Sequence, residues 1–117
     1  MAVAEEPLDV YAEATPNPEA LKFVVNRQLF TDKALDFRKP EETKDAPLAE
    51  ALFGYDFVDG VFFMNNFISI TKKPDYQWVE LIPKLRSFLH DYIQQGYPLV
   101  NDERLANSKS GEETNQV

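Results

Sequence analysis

Carboxylates are the chemistry-bearing side chains that this chain brings close together. Glu41, Glu42 and Asp45 form one run, and Glu5, Glu6, Asp9 and Glu13 form another. Such groups could serve general acid/base work or a weak, oxygen-ligated Fe(II) or other divalent site, because hard ligands suit hard ions. Neither run has the spacing of a calcium loop, and borderline metals prefer His and Cys. A solvated acidic surface is the simpler reading. His90 is the single histidine, so no His-based metal site can be assembled. No cysteine is present, which excludes disulfides, thiol catalysis and thiolate-held clusters within these residues. No serine is placed by sequence beside a base for nucleophilic catalysis. The glycines stand at 54, 60, 96 and 111, too scattered for a phosphate loop. These residues argue against an enzyme, a small hydrolase included.

The bulk properties narrow the class further. With 117 residues, the chain suits one domain with a modest core. Twelve bases against 20 acids leave a net charge of -8, which repels phosphate backbones and makes nucleic acid an unsuitable partner. No stretch is long and apolar enough to span a bilayer, so no membrane role is expected. The first residues lack the basic and apolar regions of a secretory signal, so the expected location is cytoplasmic.

The elements follow from periodicity and turn chemistry. Leu8-Asp9-Val10-Tyr11-Ala12-Glu13-Ala14 alternates like a half-buried strand, and Leu21-Lys22-Phe23-Val24-Val25-Asn26 gives a second. Between them, Pro16 and Pro18 fix their own φ and push Thr15 and Asn17 into extended geometry. Ala34–Phe37 is a weaker strand, confined to an edge by Pro40. A short helix should start at Asp45-Ala46-Pro47, capped by Asp45, bury Leu48, Leu52 and Phe53, and stop at Gly54. Val61–Met64 and Phe67–Ile70 flank Asn65-Asn66, a two-residue hairpin loop whose asparagines tolerate positive φ. A long helix, capped by Asp75, carries Trp78, Leu81, Leu85, Phe88, Leu89 and Tyr92 at helical spacing. Pro83 predicts a bend or a late start, and Gly96 a stop. The expected fold is α+β: a two-layer sandwich of four to five antiparallel strands with both helices on one face, in β-β-β-α-β-β-α order. Residues 1–7 are expected to be a flexible N-terminus, 8–96 the folded domain, and 97–117 a mostly disordered polar tail.

The hairpin register separates two faces. Val61, Phe63, Ile68 and Ile70 share the apolar one, which should meet the helices. Phe62, Met64 and Phe67 then fall on the open side, beside Tyr11 and Val24. A contiguous exposed apolar patch of this kind marks an interaction surface, and its Met and Phe suit an interface core. The rigid Thr15-Pro16-Asn17-Pro18 turn is a second candidate for recognition, although turns of this composition mostly fix hairpin register.

Three stretches carry a family resemblance. They are Thr15-Pro16-Asn17-Pro18 with Leu21-Lys22-Phe23, Pro47-Leu48-Ala49 with Leu52-Phe53, and Gly60-Val61 running into Phe67-Ile68. Together with Trp78 and Pro83, they resemble the N-terminal domain of Nfu/NifU-type iron–sulfur scaffold proteins over residues 8–95. One departure is Val24-Val25-Asn26-Arg27, where members of that family tend to turn at a Pro-Gly. The resemblance implies an α/β sandwich that helps a separate Cys-x-x-Cys domain to engage clients. It further implies a monomeric accessory module whose partners are iron–sulfur carrier or client proteins. No cofactor would then be bound by this chain alone, the iron–sulfur cluster being met only through a partner. Weak carboxylate-based iron binding and an unrelated protein partner are the alternatives.

Overall fold

The computed structural model describes residues 7–101. Five strands form one antiparallel sheet: β1 (Val10–Ala14), β2 (Ala20–Val25), β3 (Leu35–Phe37), β4 (Val58–Met64) and β5 (Phe67–Lys72), in the order β1-β2-β5-β4-β3. The hairpin of β4 and β5 sits inside the sheet, and β3 lies at the edge. Met64 opposes Phe67, Phe63 opposes Ile68, Phe62 opposes Ser69 and Val61 opposes Ile70, the register that a two-residue loop dictates. Asn65 takes φ 49°, the left-handed conformation that asparagine accepts at least cost after glycine. A bulge at Asp59 breaks the ladder between the Val58–Lys72 and Gly60–Thr71 pairs.

Two helices, α1 (Pro47–Phe53) and α2 (Trp78–Gln94), supply the second layer. Leu48 and Leu52 of α1 and Leu81, Leu85 and Leu89 of α2 are buried in one cluster with Val61, Phe63, Ile68 and Ile70. The α+β two-layer architecture is therefore the expected one. Pro83 lies within α2, which begins five residues earlier at Trp78, so the helix does not start late. Arg86 of α2 ties the layers at the sheet edge, its Nε donating to the Val10 carbonyl at 2.6 Å.

Neither expected cap forms. Ala46 and Gln77 occupy the N-cap positions, and neither makes a side-chain cap bond. At α1 the missing partner comes from the end of the chain: the Leu48 N–H donates to the Leu99 carbonyl at 3.2 Å. The Asn101 N–H in turn reaches the Asp45 carbonyl at 2.7 Å. Backbone from a distant segment thus meets an orphan donor that a local carboxylate was expected to satisfy. Residues 97–101, grouped above with the polar tail, therefore pack against the domain, and Leu99 and Val100 lie against the core. Gly96 ends α2 at φ 78°, as a left-handed stop should, whereas Gly54 keeps right-handed helical geometry at φ -68°. The remaining tail and residues 1–6 lie outside the described residues.

Phe30 is a core residue that periodicity did not mark. Its ring stacks on Phe63 with centroids 4.5 Å apart, and it is fully buried. The segment that carries it is pinned to the hairpin tip: the Leu29 and Phe30 N–H groups both donate to the Asn65 carbonyl, at 3.1 and 2.8 Å.

Candidate functional site

The open face of the sheet is built in rungs, because residues opposed across antiparallel strands share a side. One rung runs Tyr11, Val24, Phe67, Met64 through β1, β2, β5 and β4. Three strand spacings make it about 14 Å long. The next rung runs Glu13, Lys22, Ser69, Phe62, Asp36 and reaches β3. The five residues marked as a docking surface are thus brought together on one face, from four strands. Tyr11 is 45% exposed, and Val24, Phe62, Met64 and Phe67 are half-buried.

Contacts within the face are specific. The Phe62 and Phe67 rings stack with centroids 6.0 Å apart. Lys22, which the sequence did not mark, lies across the boundary of the two rungs. Its Nζ sits 4.3 Å from the Phe67 ring centroid and 3.7 Å from Glu13 Oε1. The cation over the ring contributes about 0.5–1 kcal/mol at such a partly exposed position. At the far end, Arg38 Nε meets Asp36 Oδ2 at 2.9 Å. Strand pairing, not sequence proximity, creates the Lys22–Phe67 contact, so only the alternation of β2 hinted at it.

The Thr15-Pro16-Asn17-Pro18 turn has most of its polar groups engaged internally. Thr15 Oγ1 accepts from the Asn17 N–H at 3.2 Å and lies 2.9 Å from both the Asn17 and Ala20 carbonyls. Asn17 Oδ1 accepts from the Glu19 N–H at 2.9 Å. Trp78 Nε1 donates to the Pro18 carbonyl at 3.1 Å and packs edge-on against Phe23. Glu19 receives Lys72 Nζ at 2.6 Å, and the Lys72 side chain is only 8% exposed. The turn is thus tied to α2 through Trp78 and to β5 through Lys72.

The carboxylate runs are dispersed into local roles. Glu42 Oε1 accepts from the Arg38 N–H at 2.7 Å beside the short 3-10 turn Pro40–Glu42, and Glu13 pairs with Lys22. Glu5 and Glu6 lie outside the described residues. Among the described residues no group of three His, Cys, Asp or Glu is arranged to hold a metal ion. His90 is half-buried on α2, its Nδ1 3.5 Å from Asp91 Oδ1. With no cysteine in the chain, these residues do not fit a thiolate-held iron–sulfur cluster.

Comparison with known proteins identifies the family. The family model described as "Scaffold protein Nfu/NifU N terminal" matches residues 10–96. The human NFU1 iron-sulfur cluster scaffold homolog, mitochondrial, is 32% identical over 109 residues, covering 92% of this chain and 43% of that protein. A NifU-like protein of Schizosaccharomyces pombe is 32% identical over 98 residues, 82% of this chain and 38% of its own length. NifU-like protein 4, mitochondrial, of Arabidopsis thaliana is 30% identical over 86% of this chain and 35% of its own length. This chain therefore spans about two-fifths or less of these relatives. In fold it resembles the solution structure of a NifU-like protein from Saccharomyces cerevisiae, with a TM-score of 0.71 at 19% identity over 88% of this chain and 92% of that one. A crystal structure of a Staphylococcus aureus protein follows at a TM-score of 0.59 and 18% identity, over 69% of this chain and 98% of that one. The cytoplasmic expectation is corrected by the human and Arabidopsis relatives, which are mitochondrial by name. A missing secretory signal does not distinguish cytosol from mitochondrion. With the family model matched over residues 10–96 and relatives 32% identical over most of its length, the chain belongs to the Nfu/NifU N-terminal domain family.

Proposed function

We propose that this domain is a non-catalytic docking module of iron–sulfur cluster assembly. Its open sheet face engages a protein that carries or receives the cluster, and the cluster stays on that partner. The compartment indicated by the relatives' names is the mitochondrion. One observation carries the reading: Tyr11, Val24, Phe62, Met64 and Phe67 form one apolar surface on the side away from the helices. Aromatic and methionine side chains at the centre of a patch, rimmed by charges, have the composition of an interface core. The rim charges Lys22–Glu13 and Arg38–Asp36 are already paired, so covering them leaves few unmatched charges. The cysteine-free chain supports placing the cluster on the partner.

The test is capture of partners from the chain's own cell extract, with a Phe62→Ala/Phe67→Ala variant in parallel. Iron–sulfur assembly or client proteins should be recovered with the native chain and lost with the variant. Equal recovery by both would move the docking surface elsewhere, and recovery of no such proteins would overturn the function.

A further inference from the structure

The two edges of the sheet are finished differently. β3 is three residues long and runs straight into Arg38-Lys39-Pro40, basic and proline residues of the kind that keep an edge from pairing. β1 is five residues long, pairs with β2 without a bulge, and holds no lysine, arginine or proline between Val10 and Ala14. Its one charge, Glu13, is drawn toward Lys22 of β2 at 3.7 Å, away from the edge. β1 ends the sheet, so one side of its backbone has no strand beside it among the described residues.

Three contacts fix which backbone groups face that free side. In an antiparallel pair the N–H and C=O of one residue point the same way, and successive residues alternate. The Asn26 N–H donates to the Asp9 carbonyl at 3.3 Å, so Asp9, Tyr11 and Glu13 face β2. The Val25 N–H instead reaches the Asn66 carbonyl at 2.8 Å, on the β5 side, so its partner Val10 turns its own groups outward. Arg86 Nε accordingly meets the Val10 carbonyl from outside the sheet. By the same alternation, Ala12 and Ala14 present their N–H and C=O groups to the free side, where no hydrogen bond meets them among the described residues. Ala12 is half-buried and Ala14 exposed, and a methyl group is too small to screen the backbone beside it.

Beside this edge lies a groove of about 300 Å³, one wall of which is a stripe of α2. Pro83, Arg86, Ser87 and His90 form that stripe at helical spacing, and Asp9 and Asp91 set acids beside the bases. Such mixed charges select no sign of occupant. The backbone does the selecting: a row of alternating donors and acceptors is matched by another extended chain, whose alternate side chains then enter the space beside the helix.

We infer that β1 receives an extended segment of the docking partner as a sixth strand, hydrogen-bonded through Ala12 and Ala14 and laid in the groove beside α2. The inference rests on the docking reading above: Tyr11 of the open face belongs to β1, so a protein seated on that face already reaches this edge. A second copy of this chain is a poorer occupant, because it would bring a net charge of -8 against -8. Main-chain bonds supply the attachment, so the segment is constrained chiefly by having no proline at the bonding positions.

The test is NMR on the isotopically labelled full chain, titrated to millimolar concentration with the end-blocked hexapeptide acetyl-(Thr-Val)3-amide. A counterpart N-methylated at every residue, and so without backbone donors, is titrated in parallel. The Ala12 and Ala14 amide signals should move saturably with the hexapeptide and exchange more slowly with solvent, and the N-methylated compound should do neither. Ala12→Pro removes the edge donor without touching a bond to β2, because proline suits an edge whose N–H faces outward, and should abolish the response. Unchanged Phe23 and Ile68 signals would establish that this variant is folded; if it is not, the N-methylated compound decides. No movement at Ala12 and Ala14, equal movement with the N-methylated compound, or a full response in folded Ala12→Pro overturns the inference. So does a dimer in sedimentation that Ala12→Pro dissolves, which would give the edge to a second copy. Phe62→Ala/Phe67→Ala leaves β1 intact and should keep the hexapeptide response, so lost partner capture and lost strand addition report on different claims.

Discussion

The two faces of the β4–β5 hairpin are made by alternate residues of the same two strands, yet they are fixed by different physics. Phe63, Ile68 and Ile70 have no exposed surface and interlock with α1, α2 and Phe30. Phe62, Met64 and Phe67 have no layer over them among the described residues, and stay half-buried through contacts along the sheet itself. Burial on the first face is a requirement of folding, since it removes apolar surface from water in a small domain. On the second, the same residue types remain available for binding. The contrast teaches that aromatic content alone does not tell core from surface; the side of the pleat does.

Truncating one ring on each face should separate the two. Phe63→Ala removes a ring stacked on Phe30 and edge-on to Phe37 at 5.4 Å, and should cost about 3–5 kcal/mol in urea unfolding. Phe67→Ala removes a half-buried ring and should cost about 1 kcal/mol in the same measurement. Partner capture should show the reverse order of interest, lost in Phe67→Ala while the domain remains folded. A loss near that of Phe63→Ala for Phe67→Ala would erase the distinction between the faces.

Smaller effects sharpen the comparison at its margins. Trp78→Phe keeps an aromatic ring near Phe23 but deletes the indole donor to Pro18, and should cost about 1 kcal/mol. Faster hydrogen exchange should then appear at the Ala20 amide, which donates to the Asn17 carbonyl within the turn. On the helix side, burial first, then Glu50 and Tyr97, raise the Tyr92 pKa above the ordinary tyrosine value of 10.0. The fold favours the neutral phenol, so its contribution is complete below the unfolded value and lost as pH rises past it through the folded one. Stability measured by urea should fall above about pH 10, and Tyr92→Phe should flatten that fall. The same variant loses the hydroxyl donor to the Pro98 carbonyl, so its stability at neutral pH should drop slightly.

The legibility of each region follows from how local its determinants are. Asn65-Asn66 announced the hairpin because a two-residue loop restricts φ, and the loop then dictates every pair behind it. The residues of the open face were readable for the same reason, once the all-apolar face had been assigned to the core. Asp45 and Asp75 misled because capping residues were inferred from their neighbours, whereas Leu99 supplies an α1 partner from the far end of the chain. Phe30 lies in a segment with no helical or strand periodicity, so nothing local predicted its burial. Lys22 announced a charge, but not the ring beneath it.

Residue order by itself determined the strand periods, the hairpin register, the composition of both its faces and the lack of any thiolate ligand. These depend on dihedral restrictions and side-chain chemistry, which act within a few residues. Tertiary structure decided what meets the helix ends, that Phe30 enters the core, that Lys22 lies over the Phe67 ring and that Trp78 holds the Pro18 turn. Those outcomes arise where strands distant in sequence are hydrogen-bonded side by side, because space and charge are then shared between residues that local rules cannot pair.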